Sequence, residues 1–374
     1  MSESILVHIC CSVDSHYFLS QLQLMYPEKK FIGYFYNPNI HPRQEYNLRY
    51  SDVQRSCQML NIPLIEGEYE CQEWFESVKG LEDAPEKGER CIKCFDTRLE
   101  NTAKVAHKMR IPLFTTTLLS SPLKDSETLY KEGDQIAKKY DLDFLKVDVR
   151  SNGGTQRQSE LANKDKLYKQ NYCGCTFALS KQRDLHNQLI LEMMSNIGKQ
   201  IMPGSNEQRL AVFQKRTECE AKGIKYILNK CPKIVWRNMR SYCVDNSQVI
   251  DSYLLAFSKS KRLVKTGYIV CMERELHLDS ESIRIQVGYA SKDDSVFLGL
   301  SDVNKILKTS YHNVREMMFS PPEYEKELVL RSLICGADSI NPIIIIDKII
   351  LYSLKIFIDA RFQETSVFNI TTDS

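Results

Sequence analysis

An α/β fold with a mostly parallel sheet, followed by an α+β region, is what this sequence predicts, and three observations predict it. Over roughly the first 185 residues, short apolar runs alternate with amphipathic stretches of helical period. Beyond about residue 186, strand-like runs follow one another directly and helices come after them. Apolar runs such as Ile343 to Ile346 have the length of a strand, and none comes near the ~20 residues of a membrane span.

In the first region the strand candidates are residues 5–9, 31–36, 63–65, 113–118 and 144–148. The first of them, ILVHI, is nearly all apolar, as a strand covered on both faces must be. Between the strands lie amphipathic stretches at 43–60, 96–109 and 126–140. This βαβα order puts helices on both faces of a parallel sheet and function at the loops after the strands. Residues 151–166, with Gly153-Gly154, break the rhythm and lead into LYKQNYCGC. In the second region strands at 267–278, 282–289 and 295–300 precede helices at 302–309 and 324–333. The expected division is a domain of residues 1–190 and another of residues 191–374.

With 43% hydrophobic and 26% charged residues and a net charge of +2, the composition is that of a soluble globular protein. No charged-then-apolar leader opens the chain, so it is expected to be cytoplasmic and to have no membrane partner. One stretch departs from charge balance. Arg209, Lys215, Arg216, Lys222, Lys225, Lys230, Lys233, Arg237 and Arg240 face only Glu218 and Glu220, with Tyr226 and Trp236 interleaved. Such a stretch suits phosphate contact and base stacking, or else a solvated helical face.

The thirteen cysteines carry the chemistry. Cys57, Cys71, Cys219, Cys231, Cys243, Cys271 and Cys335 stand alone and read as buried or incidental thiols. The other six form three pairs: Cys10-Cys11, Cys91-x-x-Cys94 and Cys173-Gly174-Cys175. Adjacent strand residues point to opposite faces, so Cys10 and Cys11 converge on one ligand only if the chain turns there into a helix. Cys91 and Cys94 share one face of a helix whose N-terminus, with Arg90 and Lys93, is expected to lower their pKa. Four thiolates at the active edge of a sheet suit an iron–sulfur cluster or zinc. The CGC segment can close only a very small ring through a flexible glycine, which fits an easily reduced redox pair, further metal ligation being the alternative.

The stretches HICCSVDS, GYFYNPNIHPRQEYNLR, RCIKCFDTRL, FTTTLLSSPLKD and LYKQNYCGCTFAL, in that order over residues 5–180, resemble the cobalamin-independent epoxyqueuosine reductases of the QueH type. One departure is Val13, where that family more often has proline. The resemblance implies an adenine-nucleotide-hydrolase-like (HUP or PP-loop-like) fold that has lost its nucleotide. ATP-using relatives carry SGGxDS after the first strand, whereas CCSVDS keeps the Asp-Ser and has no glycine to admit a pyrophosphate, so no ATP is expected. It further implies removal of the epoxide oxygen of epoxyqueuosine at the wobble position of tRNA, the last step of queuosine synthesis. Carried over residue by residue, Cys10, Cys11, Cys91 and Cys94 match the [4Fe-4S] ligands, and Cys173 and Cys175 the redox pair.

Reducing an epoxide to an alkene and water takes two electrons and two protons, and a dithiol supplies two electrons where a cluster passes one at a time. The expected mechanism has an iron centre or a nearby acid polarise the oxygen while pair and cluster supply electrons. Asp14 is the candidate acid or ligand to a second iron, against an ordinary role as helix N-cap. Tyr172 is a second candidate proton donor. Tyr36, Asn37 and Asn39, in the loop after the second strand, suit a splayed base, and Arg43 and Arg49 suit phosphate. The expected partners are tRNA carrying epoxyqueuosine and an unidentified electron donor. A zinc-bound tRNA-binding module and a thiol–disulfide oxidoreductase acting on proteins are the competing readings.

Overall fold

Ile5, Leu6, Val7 and Ile9 are fully buried, because the strand they form runs through the middle of a sheet covered on both faces. The computed structural model describes residues 4–194, 196–278 and 281–372. Two units make up the chain: Met1–Met193 with Leu210–Leu228 and Ile370–Ser374, and Met194–Arg209 with Asn229–Asn369.

The first unit runs β1 (Ser4–Ile9), α1 (Ser12–Met25), β2 (Lys30–Phe35), α2 (Arg43–Met59), β3 (Leu64–Glu66), α3 (Cys71–Ser77), α4 (Glu89–Lys108), β4 (Leu113–Thr116), α5 (Ser126–Lys139), β5 (Asp143–Phe144), α6 (Gly154–Lys164) and α7 (Thr176–Leu185). Its five strands are parallel in the order β3-β2-β1-β4-β5. This is the α/β architecture expected. Ile5 lies opposite both Phe31 and Leu113, so β1, β2 and β4 end at one edge. Strand order reverses at β1, and the crevice outside the carboxyl ends at such a point is where open α/β sheets bind ligands. The residues that leave β1 there are Cys10 and Cys11.

His8 ties these three strands together. Its Nδ1 pairs with Thr116 Oγ1 at 2.8 Å and its Nε2 with the Tyr36 carbonyl at 3.0 Å. Burial, with Arg98 nearby, lowers its pKa to about 3, so the ring is neutral at physiological pH.

The segment α8 (Asn206–Ala221) joins the first unit from Leu210 onward. Two residues of the basic stretch explain why. Arg216 and Asp52 form an ion pair of 2.6 Å in which each side chain is 1% exposed, and Arg216 also donates to the Lys166 carbonyl. Asp52 further accepts from the Ser12 hydroxyl and the Tyr168 N–H. Arg55 grips Glu220 with two hydrogen bonds of 2.7 and 2.8 Å.

The second unit continues with β6 (Tyr226–Asp245), β7 (Gln248–Ile250), β8 (Tyr253–Leu254), β9 (Leu263–Lys265), β10 (Ile269–Leu278), β11 (Glu281–Ala290), β12 (Val296–Gly299), α9 (Leu300–Leu307), α10 (Val314–Phe319), α11 (Tyr324–Cys335), β13 (Ile343–Ile346) and β14 (Lys355–Thr372). One sheet has the order β10-β11-β12-β13-β8 and the other β7-β6-β14-β9. Val303 and Ile306 of α9 and Leu330 and Ile334 of α11 pack with Val287, Leu298, Ile343 and Ile345 of the first of these sheets. That is the α+β organisation expected.

Part of the basic stretch differs from a solvated helix. Residues 226–245 form a twenty-residue strand. Trp236 is buried, with its indole N–H donated to the Ser258 carbonyl at 3.0 Å, and Arg237 is buried against the Pro203 and Trp236 carbonyls. Trp236 is therefore no platform for a base. Among the described residues, no helix is long and apolar enough to cross a membrane.

Candidate active site

All six paired cysteines line one cavity of about 300 Å³ in the first unit. Three helix starts and one strand end bring them there. β1 ends at Ile9, and Cys11 caps α1 in extended conformation (φ −164°, ψ 164°). The chain turns at the pair, so both thiols reach one side. The Cys10 and Cys11 sulfurs are 3.8 Å apart, and Cys10 Sγ lies 3.4 Å from Thr117 Oγ1 and 3.5 Å from Asp14 Oδ2.

Gly88 caps α4, which places Cys91 and Cys94 in its first two turns. Arg90 fastens the loop before this helix by donating to the Leu81, Glu82 and Ala84 carbonyls. Cys175 caps α7 and packs with Cys94, Trp74 and Ala178. Gly174 has φ +107°, and a Cβ there would stand 2.8 Å from Ile40 Cγ1, so glycine is required for the CGC turn to lie against the loop after β2. That contact is sealed by the His41 N–H donating to the Gly174 carbonyl at 2.9 Å.

Charge separates the two thiols of this pair. A hydrogen bond from Cys175, with Lys124 and Arg49 nearby, lowers the Cys173 pKa to about 5. The negative charge that results pushes Cys175 up, so Cys175 holds the proton that the pair shares. Cys173 is half-buried and reachable. Its alkylation by iodoacetamide is accordingly expected to be fast and nearly constant from pH 8 down to about 6, and to slow below about 5. A rate that climbs up to pH 8.5, as for an ordinary thiol, would contradict the thiolate; peptide mass spectrometry across the pH range reads the outcome.

Several expectations require correction. Asp14 is not a helix cap, since Cys11 holds that position; Asp14 sits in the first turn, accepting from Gln158 Nε2 at 2.8 Å. Burial raises its pKa, against hydrogen bonds from Cys10, Cys11 and Gln158. Burial likewise raises the Cys91 pKa, outweighing the Lys87 N–H and Lys124 that oppose it. Lys93 faces solvent and pairs with Asp96. Tyr36, Asn37 and Arg43 are not in the cavity wall. Tyr36 donates to Glu70, Asn37 donates to the Ile9 carbonyl, and Arg43 lies over the Tyr69 and Tyr46 rings.

Arg49 and Asn39 do line the cavity, in different senses. Arg49 is 2% exposed and fully engaged, with Glu45 at 2.8 Å, the Tyr172 carbonyl at 2.9 Å and the Cys173 carbonyl at 3.2 Å. It holds the CGC segment and is not available to phosphate. The Tyr172 hydroxyl donates to the His41 carbonyl, so its proton is committed away from the cavity. Asn39 Oδ1, by contrast, is buried with no hydrogen-bond partner.

Two cations of the site, Lys124 and Arg98, escaped sequence reasoning. Lys124, between β4 and α5, acts on Cys173, Cys91 and Asp14 together. Arg98, buried, donates to the Cys94 carbonyl, and Arg90 Nε and Nη2 and Trp74 Nε1 are buried donors without partners. Buried cations and idle N–H groups around four thiols suit a group of net negative charge with acceptor atoms of its own. One zinc ion does not fit as well, because four sulfurs 2.3 Å from it would lie about 3.8 Å from one another. Among the described residues Cys10, Cys11 and Asp14 are the one group of three or more whose ligand atoms lie within 4.8 Å of one another, and Cys91 and Cys94 do not join it.

The family model described as epoxyqueuosine reductase QueH matches residues 5–181. An epoxyqueuosine reductase QueH of Helicobacter pylori is 39% identical over 97% of this chain and 99% of its own. The chain belongs to the QueH epoxyqueuosine reductase family. QueH proteins of Histophilus somni and Thermotoga maritima are 39% and 33% identical over 47% and 50% of this chain, covering 72% and 95% of their own. As a QueH-family member the chain is an oxidoreductase that acts on tRNA. Among solved structures it is similar to a predicted tRNA methyltransferase subunit from Methanocaldococcus jannaschii (12% identity, TM-score 0.32, 50% of this chain and 90% of that one). It is also similar to the U34-tRNA thiolase NcsA of Methanococcus maripaludis, solved with its [4Fe-4S] cluster (12%, TM-score 0.24, 52% and 75%). Both likenesses are too slight to bear on function.

Proposed function

We propose that the chain reduces epoxyqueuosine to queuosine at the wobble position of tRNA, using a [4Fe-4S] cluster and the Cys173/Cys175 pair. The observation that carries this reading is the meeting of all six paired cysteines on one cavity. Cys10, Cys11, Cys91 and Cys94 would hold the cluster, and Asp14 adds an oxygen donor beside two of them for a second iron. When bound, the cluster supplies single electrons.

The chain's own residues supply the rest. The reaction balances as epoxide plus one thiolate, one thiol and one further proton giving alkene, water and one disulfide, so Cys173 and Cys175 deliver two electrons together with one proton. Cys175 holds its proton and Cys173 stands as the thiolate, the form that takes part in thiol exchange. The second proton has to reach the site from outside the pair. Asp14, where it does not bind a second iron, is buried with its pKa raised and is placed to hold one beside Cys10. Lys124 and Arg49 stabilise the thiolate, and Arg49 fixes the backbone that carries it. A reductant restores the dithiol after each turnover.

Anaerobic purification tests the cofactor and the substrate together. Iron with labile sulfide is expected, and conversion of epoxyqueuosine-containing tRNA to queuosine-containing tRNA under a chemical reductant. A colourless protein with one zinc and no sulfide would overturn the cluster, and unchanged nucleosides with the iron protein would overturn the substrate.

A further inference from the structure

We infer that the outer face of the second unit's four-stranded sheet is a binding surface for the body of the tRNA, remote from the cysteines in sequence. The inference rests on tRNA being the substrate. It concerns residues that the redox chemistry does not use.

The sheet β7-β6-β14-β9 has two unlike faces. Cys243, Ile356, Ile358, Ile250 and Val264 point to one side and belong to a hydrophobic cluster. Strand alternation sends Tyr242, Lys355, Phe357 and Arg361 to the other. Register extends that face, because Lys355 lies opposite Lys265 and Phe357 opposite Leu263. An ordinary solvent face of a sheet is polar. This one exposes Leu263 (62%) and stacks the Tyr242 and Phe357 rings 4.9 Å apart with planes 7° from parallel. Arg240 lies over both rings, its Cζ 5.2 Å from one centroid and 5.6 Å from the other.

Cations dominate the same face. Arg240, Lys265, Lys355 and Arg361 are exposed, against Asp359 alone among the alternating positions of β14. Stacked rings capped by a guanidinium plane, with lysines spaced along neighbouring strands, combine base stacking with phosphate contact, the two means by which proteins hold RNA without reading its sequence. An acidic protein would use the lysines and leave the ring stack without a role. The basic stretch read from the sequence thus contributes Arg240, and its stacking groups are Tyr242 and Phe357 in place of the buried Trp236.

The test compares the full-length iron protein with K265E/K355E and with Y242A, all at exposed or half-exposed positions. Binding of transfer RNA is measured by fluorescence anisotropy from 50 to 300 mM salt, with K138E as a charge control on the other unit. Lysine reversal is expected to weaken binding at least tenfold and to flatten the salt slope by about two, at ~0.9 per phosphate contact. Loss of the ring is expected to weaken binding roughly tenfold. Turnover of a short anticodon stem-loop is expected to stay at the wild-type rate while KM for intact tRNA rises. Affinity and salt slope equal to those of wild type and K138E would overturn the surface. Failure of wild-type protein to convert either RNA would instead count against the proposed reaction.

Discussion

Replacing Cys173 by serine is expected to abolish turnover while leaving iron and sulfide content unchanged. A hydroxyl in place of this sulfur cannot form the disulfide that releases two electrons, and one-electron donation alone does not complete an epoxide reduction. The loss is expected to reach the limit of detection. Cys175→Ala shares that outcome but differs in one respect. Removing the Cys175 hydrogen bond, the largest cause of the low Cys173 pKa, raises that pKa, so Cys173 alkylation at pH 6 slows. Queuosine formed by Cys173→Ser at more than a tenth of the wild-type rate would remove the pair from the mechanism.

The second large effect is on stability. Arg49→Met leaves Glu45, 0% exposed, as a buried carboxylate without its cation, and leaves the Tyr172 and Cys173 carbonyls without their donor. Breaking one side of a buried ion pair costs about 3–5 kcal/mol, a large part of the ~5–15 kcal/mol that holds an ordinary domain. Urea denaturation should show a markedly lower midpoint for the first unit. The double variant E45Q/R49M should recover part of the loss, because no unpaired charge is then buried. A single variant as stable as wild type would show that Arg49 does not hold the CGC segment.

Strand positions and the six cysteines were legible in the sequence because both depend on local pattern. ILVHI can only be a covered strand, and CC, CxxC and CGC each fall where a strand ends or a helix begins. What was not legible depends on partners distant in the chain. Arg49 and Tyr36 look available until Glu45, the Tyr172 and Cys173 carbonyls and Glu70 are found against them. Lys124 carries no pattern of its own and matters only because the loop after β4 ends beside Cys91 and Cys173. The run 209–240 mixes three fates that composition cannot separate: Arg216 locked onto Asp52, Trp236 and Arg237 buried, and Arg240 on an open sheet face. Burial also reversed the expected sign of the Cys91 shift, since a helix terminus contributes less than desolvation does at such a position.

A single-turnover experiment tests the central claim most directly. Iron protein reduced and then freed of reductant is mixed anaerobically with epoxyqueuosine-containing tRNA, quenched with acid, and alkylated for peptide mass spectrometry. One Cys173–Cys175 disulfide per queuosine formed is the expected result. Queuosine produced with both thiols still reduced would contradict it.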